Sequence, residues 1–485
     1  MKDATYWASL INNKQISPQE LLAETYKKAQ QDELNCFVKL DEEMYEESLR
    51  HIENIRNKDS LFFGVPFPLK NIGQNKKGWL NTAGARLMDG HVASVTDNYV
   101  LQVEASGLIP FGTTNAPEFG YKNVTDPIIY GVTKNAWNKE YHAGGSSGGA
   151  ASAVASGIVP FAAASDGGGS IRIPASFSGL LGLKPSRGNV LTGPNGWRSW
   201  QGASVNFALG VSVRDARGLL EVLKPTQQIS PFLMPKRLKN YKKNQPLKIA
   251  VCMDSPVGNH VSDEAKNAVK QSIKFLIEQG HEVIEIDYPI NGDELIRSYY
   301  LMNGGETSAM MFDFKQSLKR ELTIDDMELT TWTLYQYGEK LSAAEYAQSF
   351  NSWDKATEVM EHLFETCDLF LSPTATTHAP KITDDFLGDE LREKMRHAKD
   401  ASKEELAVLV YDMFNEGLKM TPYTQLANLT GQPSISLPTY VTSDGLPIGI
   451  QFMAAKGQDE LLLDIAEIFE KHNQFILPEY YRKNA

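Results

Sequence analysis

The sequence predicts an α/β sandwich, on three observations. Short apolar runs recur without polar alternation, amphipathic stretches at helical spacing lie between them, and glycine- and serine-rich segments mark their junctions. A strand covered on both faces reads as a continuous apolar run, whereas a strand with one wet face alternates. Strand and helix signals that take turns along a chain favour layered α/β architecture over a bundle or an all-β fold.

The elements follow in order. The first sixty residues read as helical. Ser17-Pro18-Gln19-Glu20 joins an N-cap serine, proline at the first helical position and a glutamate that can reach back to the cap. Leu21, Leu22, Thr25, Tyr26 and Ala29 then fall on one face. From about residue 61 the texture changes. The runs 108–111 and 158–164 read as buried strands, and 150–156, rich in alanine and serine, as a helix packed closely on a sheet. Farther on, 248–252, 282–286, 368–371, 434–437 and 448–452 read as strands, with helices at 263–279 and 459–471. Residues from about 290 to 420 are more helical and carry Tyr299, Tyr300, Phe312, Phe314, Trp332, Tyr335, Tyr337, Tyr346, Phe350 and Trp353, most of them expected in the core.

Composition narrows the function classes. The chain has 485 residues, 42% hydrophobic and 22% charged, which is ordinary for a globular protein. Length alone would suggest about three domains, but no low-complexity tract offers a linker, so residues 1–485 read as a single domain. A net charge of -12 argues against non-specific nucleic-acid binding. Two short basic runs, Lys236–Lys243 and Lys394–Lys399, read as solvated surface. Cys36, Cys252 and Cys367 are too far apart for a zinc site or a disulfide framework. The amino terminus lacks the apolar core and cleavage site of a signal peptide, and no run reaches the ~18 apolar residues of a spanning helix. The expectation is a cytoplasmic protein with no membrane partner.

The chemistry concentrates in two serine segments and one lysine. The segments are Gly144-Gly145-Ser146-Ser147-Gly148-Gly149 and Ser165-Asp166-Gly167-Gly168-Gly169-Ser170-Ile171-Arg172; upstream lies Phe67-Pro68-Leu69-Lys70-Asn71. A serine hydroxyl is a poor nucleophile until a base takes its proton, and N–H groups must face the oxyanion that forms. Consecutive glycines let a backbone approach a ligand closely, so Gly167, Gly168, Gly169 and Ser170 suit an oxyanion hole. Of nine histidines only His142 is near either segment, although a distant histidine could still be brought in by folding. A neutral lysine can also serve as base. Starting from about 10.4, holding Lys70 neutral at pH 7 costs about 4.6 kcal/mol, and burial among Phe67, Pro68 and Leu69 is the kind of desolvation that contributes.

The run from Pro68 to Lys184 resembles the amidase signature family, whose members carry a Lys–cis-Ser–Ser triad. In that family the first serine of a GGSSGG segment follows a cis peptide bond, and the serine of a GGSIR segment is the acyl nucleophile. The resemblance implies that Ser170 is the nucleophile, Ser146 the bridging serine and Lys70 the base. The interval 170 − 146 = 24 agrees with the family's spacing. It also implies a fold built on a large mixed central sheet between helices, and an amidohydrolase working through an acyl-enzyme without metal or organic cofactor. Family-like segments recur at 113–119, 180–185, 372–374, 428–433 and 445–451, so the likeness covers most of the chain. The signature core falls at about 61–200 and a variable substrate-cleft region at about 220–420. Two departures, Asn71 where many relatives have aspartate and Ala164-Ser165-Asp166-Gly167 where many read GTD and a bulkier residue, are expected not to touch the triad. The SDGGGSIRIPAS wording is similar to the branch that hydrolyses the cyclic dimer of 6-aminohexanoate.

Other readings stand beside these. Gly144-x-Ser146-x-Gly148 also fits a nucleophile elbow, which would need a distant histidine such as His378 and leave residues 167–170 without a role. Neither glycine cluster ends in the lysine of a phosphate loop. Asp166 and Arg172 read as a structural ion pair or loop clamp, Asn123 as a substrate contact or a loop cap, and Trp332, Tyr335 and Trp353 as core. The leading expectation is a free-standing amidase, monomer or homodimer, acting on a small, largely uncharged linear or cyclic amide. The alternatives are the glutaminase subunit of a tRNA-dependent amidotransferase, which would need partner subunits, and a binding protein that has lost activity.

Overall fold

The computed structural model describes residues 1–55, 57–225, 229–234 and 245–483; the basic run Lys236–Lys243 lies outside the described residues. Near the amino terminus β1 (Phe37–Lys39), β2 (Leu69–Lys70) and β3 (Thr113–Thr114) form a small sheet in the order β1-β3-β2. The main sheet comprises β4 (Ala162–Asp166), β5 (Leu181–Lys184), β6 (Val205–Gly210), β7 (Lys248–Val251), β8 (Glu282–Glu285), β9 (Leu369–Pro373), β10 (Ser434–Val441) and β11 (Pro447–Met453). Its spatial order is β4-β6-β5-β10-β11-β9-β7-β8. The pairs from β4 through β9 are antiparallel, while β9, β7 and β8 run parallel, so the sheet is mixed as expected. Connectivity explains the mixture. A short turn carrying Gly445 at φ +81 joins β10 to β11, whereas β7 reaches β8 through the helix Asp263–Glu278, the crossover that parallel pairing requires.

The layers can be read from alternate residues. On β7 Ile249 and Val251 join one hydrophobic core and Ala250 the other; on β9 Leu369 and Leu371 oppose Phe370; on β11 Phe452 opposes Met453. Successive side chains of a strand point to opposite faces, so each of these strands is a shared wall. One core takes in the amino-terminal helices and the closing helix Asp459–Lys471, the other the helices between Gly292 and Met420. The helix Pro18–Gln30 has the capping box foreseen at Ser17 and Glu20.

Two predicted strands are displaced, both by proline. In 108–111 only Ile109 makes a ladder contact, an isolated bridge to Pro66, and the strand proper is Thr113–Thr114. In 158–164 pairing begins only at Ala162. Pro110 and Pro160 have no N–H to offer a ladder. Phe312 departs from the expected aromatic core, standing 58% exposed on the helix Gly292–Leu318. Lys394 and Arg396 pair with Glu390 and Glu393 on an exposed helix face, as solvated surface should. The three cysteines are buried free thiols. Among the described residues no helix is long and apolar enough to cross a membrane.

Candidate active site

Lys70 ends β2, whose parallel register sets it opposite Thr114. Its own N–H donates to Gln74 Oε1 (2.8 Å), and Gln74 Nε2 donates to the Ala164 carbonyl (3.0 Å), which ties the lysine strand to β4. The Lys70 side chain is fully buried. Its Nζ lies 2.8 Å from Ser146 Oγ and 2.9 Å from Ser165 Oγ. Burial lowers its pKa to about 7, against the opposing pull of the Asp166 carboxylate. An amine so placed gives up its proton near neutral pH rather than above pH 10.

Ser146 sits in the tight turn that leads into the buried helix Gly148–Ala155, and the Gly145–Ser146 peptide is cis. The turn admits only glycine around the serines because the chain is pressed on both sides. A Cβ on Gly145 would lie 2.6 Å from the Val124 carbonyl oxygen, and one on Gly149 2.3 Å from the Asn115 nitrogen.

The stretch Ala164-Ser165-Asp166-Gly167 was expected not to touch the triad residues, but Ser165 bonds to Lys70. It is the fourth residue of β4, and its hydroxyl is the second partner of Lys70 Nζ. The hydroxyl stands where many relatives have threonine, and that retained hydroxyl was the available signal. Asn71, the other departure, instead clamps Thr82 through both ends of its amide (2.9 and 3.0 Å).

Beyond β4 the chain turns through Gly167, Gly168 and Gly169 to Ser170. Gly169 has φ +131, a region open to glycine. Side chains elsewhere in the turn would also collide. A Cβ on Gly167 would lie 2.9 Å from the Trp200 ring, and one on Gly168 2.4 Å from Tyr299 Oη. Asp166 organises the turn. Its carboxylate accepts from Gly169 N (2.7 Å), Ile171 N (3.2 Å), Asn428 Nδ2 (2.8 Å) and two Arg172 nitrogens (both 3.0 Å). Both charged side chains are fully buried. Burial alone would raise the Asp166 pKa, but Arg172 and the amide donors hold it at about 2. The ion-pair reading of Asp166 and Arg172 therefore fits. Of the four expected oxyanion-hole donors, Gly167, Gly168, Gly169 and Ser170, the Gly169 N–H donates to Asp166 in this structure.

Half-buried Ser170 lies where two cavities meet. A cleft of about 370 Å³ is lined by Ser170, Gly168, Tyr121, Trp200, Tyr299 and Phe414, among others. A larger cavity of about 530 Å³ is lined by Ser170, Ser146, Ser165, Gly167 and Ser204, again with Tyr121 and Trp200. Tyr121 and Trp200 stack with centroids 5.8 Å apart and planes at 8°, and Trp200 meets Tyr299 edge-on at 6.0 Å. The structure thus gathers Lys70, Ser146 and Ser165 by hydrogen bonds. Ser146 and Ser170 share the wall of one cavity, with no hydrogen bond between them among the described residues.

Asn123 stands at the cleft wall with its amide already engaged. It lines the smaller cleft, and its Nδ2 donates to the Gly417 carbonyl (2.7 Å) and to Thr421 Oγ1 (2.9 Å). His378, the histidine of the elbow reading, lines neither cavity and has Nδ1 against the Ala379 carbonyl at 2.7 Å. Trp332, Tyr335 and Trp353 are buried core residues that line neither cavity. Trp200, like Ser165, is a residue of the site that sequence reasoning missed. It comes from a loop in which Trp200 and Gln201 both have left-handed backbone (φ 48 and 51), a conformation with no signature in the sequence.

Comparison with known proteins gives the following. A family model described as Amidase matches residues 20–463. The chain is 37% identical, over 97% of its length, to a lipoamidase of Enterococcus faecalis, and spans 63% of that relative's length. It is 31% identical to a 6-aminohexanoate-cyclic-dimer hydrolase of Pseudomonas sp., covering 97% of this chain and 94% of the relative. A solved structure of 6-aminohexanoate cyclic dimer hydrolase superposes with a TM-score of 0.87 at 30% identity, over 99% of this chain and 98% of that one.

Proposed function

The chain belongs to the amidase signature family, and from that premise we propose that it is a serine amidohydrolase using Lys70, Ser146 and Ser170 on a small, largely uncharged linear or cyclic amide. One observation carries the reading: a fully buried lysine amine with its pKa lowered to about 7 lies 2.8 Å from the hydroxyl of Ser146, which lines the same cavity as Ser170.

The steps follow from proton positions. Neutral Lys70 takes the Ser146 proton as Ser146 takes that of Ser170, once the Ser170 hydroxyl turns onto Ser146; catalytic hydrogen bonds often close only with substrate bound. Ser170 Oγ then bonds to the amide carbon, and the oxyanion is met by N–H groups of Gly167, Gly168 and Ser170. Collapse breaks the C–N bond. The leaving nitrogen takes a proton from Ser146, which is replenished from Lys70, and an amine departs from the acyl-Ser170 ester. Water, deprotonated along the same relay, attacks the ester and releases the carboxylic acid. Ser165 holds the amine of Lys70 in line.

The test is labelling by a fluorophosphonate together with turnover of an amide panel that includes lipoamide and the 6-aminohexanoate cyclic dimer, for which the two relatives are named. Wild type should be labelled and active as a single polypeptide, and Ser170→Ala should lose both properties. Unlabelled, inactive wild type would refute the reading in favour of a binding protein, and hydrolysis only with added partner subunits would favour the glutaminase.

A further inference from the structure

We propose that Thr424 is a positioning residue for acylation: its hydroxyl, by holding the Gly168 carbonyl, keeps the nucleophile turn in the orientation that receives the oxyanion. The inference rests on the relay and oxyanion hole proposed above and adds a residue that is fully buried and lines neither cavity. A trans peptide carries its C=O and N–H on opposite sides, and residues without a Cβ accept many orientations. Three glycines in a row therefore leave the direction of their carbonyls to their surroundings. Here each carbonyl is taken. The Gly167 oxygen accepts from Tyr299 Oη (3.3 Å), the Gly168 oxygen from Thr424 Oγ1 (2.6 Å) and the Gly169 oxygen from Ile173 N (2.7 Å). The Ile173 bond comes with the helix Arg172–Ser178, and the Tyr299 bond is long. The Thr424 bond is the short side-chain tie on these carbonyls.

The peptide between Gly168 and Gly169 is gripped at both ends. Its carbonyl meets Thr424, and its N–H, on the other side, donates to Asp166 Oδ1 (2.7 Å). With the carbonyl released, the plane can swing about the bond to Asp166. That swing carries the neighbouring N–H groups of Gly168 and Ser170 out of the narrow distance range in which a donor stabilises an oxyanion. Thr424 is seated for the task by the helix it precedes, Gln425–Thr430. One turn later on the same face, Asn428 donates to the Asp166 carbonyl (2.9 Å) and carboxylate (2.8 Å). The hydroxyl is also packed hard on the turn, since a Cβ on Gly169 would stand 2.3 Å from Thr424 Oγ1.

Thr424→Val keeps the shape of the side chain and removes its hydroxyl, whereas Thr424→Ser keeps the hydroxyl. Kinetics on the best amide of the panel, counted per folded molecule, separate the two. In Thr424→Val kcat should fall roughly tenfold to a hundredfold with KM within about twofold of wild type, because misaligned donors act on charge that develops only in the transition state. Fluorophosphonate labelling should slow in parallel, and Thr424→Ser should recover most of both rates. A threonine that served packing alone would shift the unfolding midpoint and leave kcat per folded molecule unchanged. Thr424→Val with wild-type kcat, or Thr424→Ser as slow as Thr424→Val, would overturn the assignment while an inactive Ser170→Ala left the relay standing. Should Thr424→Val not fold, Thr424→Cys, a weak donor, takes its place: slow turnover supports the role and wild-type kcat overturns it. Turnover surviving in Ser170→Ala would bring down the relay and this role together.

Discussion

Lys70→Met tests the buried amine through folding rather than catalysis. Methionine matches the lysine stem in length and can fill the same space. In the unfolded chain the lysine binds a proton up to its ordinary value of 10.5, and in the folded protein only up to about 7. Between these limits the unfolded state binds more protons, so wild-type stability rises with pH across that window and the penalty is complete below it. At 1.36 kcal/mol per pH unit the full penalty is about 5 kcal/mol. Relative to Lys70→Met, wild type should gain roughly 3 kcal/mol between pH 7 and pH 10. The hydrogen bonds to Ser146 and Ser165 shift the comparison by about 1 kcal/mol each, but as an offset common to the window. Lys184, also fully buried and lowered to about 7, is present in both proteins and cancels. Urea unfolding of both proteins at several pH values measures the difference directly. A stability difference flat to within about 1 kcal/mol from pH 7 to 10 would mean that Lys70 stays charged when folded, and the relay would lose its base.

Three further outcomes are expected. Below about pH 7 kcat/KM should fall tenfold per unit as Lys70 protonates, and Lys70→Arg, charged at every accessible pH, should lose at least about a hundredfold in rate. Asp166→Asn would leave Arg172 charged, buried and without its counterion; denaturant titration should register a loss of about 3–5 kcal/mol. Gly168→Ala should abolish turnover, because its methyl would meet Tyr299 Oη at 2.4 Å. The double variant with Tyr299→Phe, whose nearest ring atom then stands at 3.1 Å, should recover part of the rate in the same assay.

What was legible in the sequence was local. The capping box at Ser17, the helix 459–471 and the buried strands that escape proline all depend on residues adjacent in the chain. The roles proposed for Lys70, Ser146 and Ser170 were implied by the likeness of three short segments to the amidase signature family, while the residues alone left the identity of the base open. The misses arise where distant pieces meet. Ser165 reaches Lys70 only because β4 passes beside β2, a packing fact that no spacing encodes. Trp200 enters the site through two consecutive left-handed residues, and β5 and β6 are short and contain glycine, which mutes an apolar run.

The nucleophile turn is fastened from far down the chain. Asn428 grips both the carboxylate and the carbonyl of Asp166 and accepts from Arg172, a partner 256 residues away, while Gln451 accepts from the same guanidinium. On the ribosome, at about 5–20 residues per second, Ser170 would wait roughly 10–50 s for those clamps to emerge. A nascent or prematurely released chain would therefore carry every residue of the proposed relay and still lack the seat that aims it. Amide cleavage would begin only after Asn428 and strand β11 had docked, so the fold delays its own reactivity until those distant residues have been made.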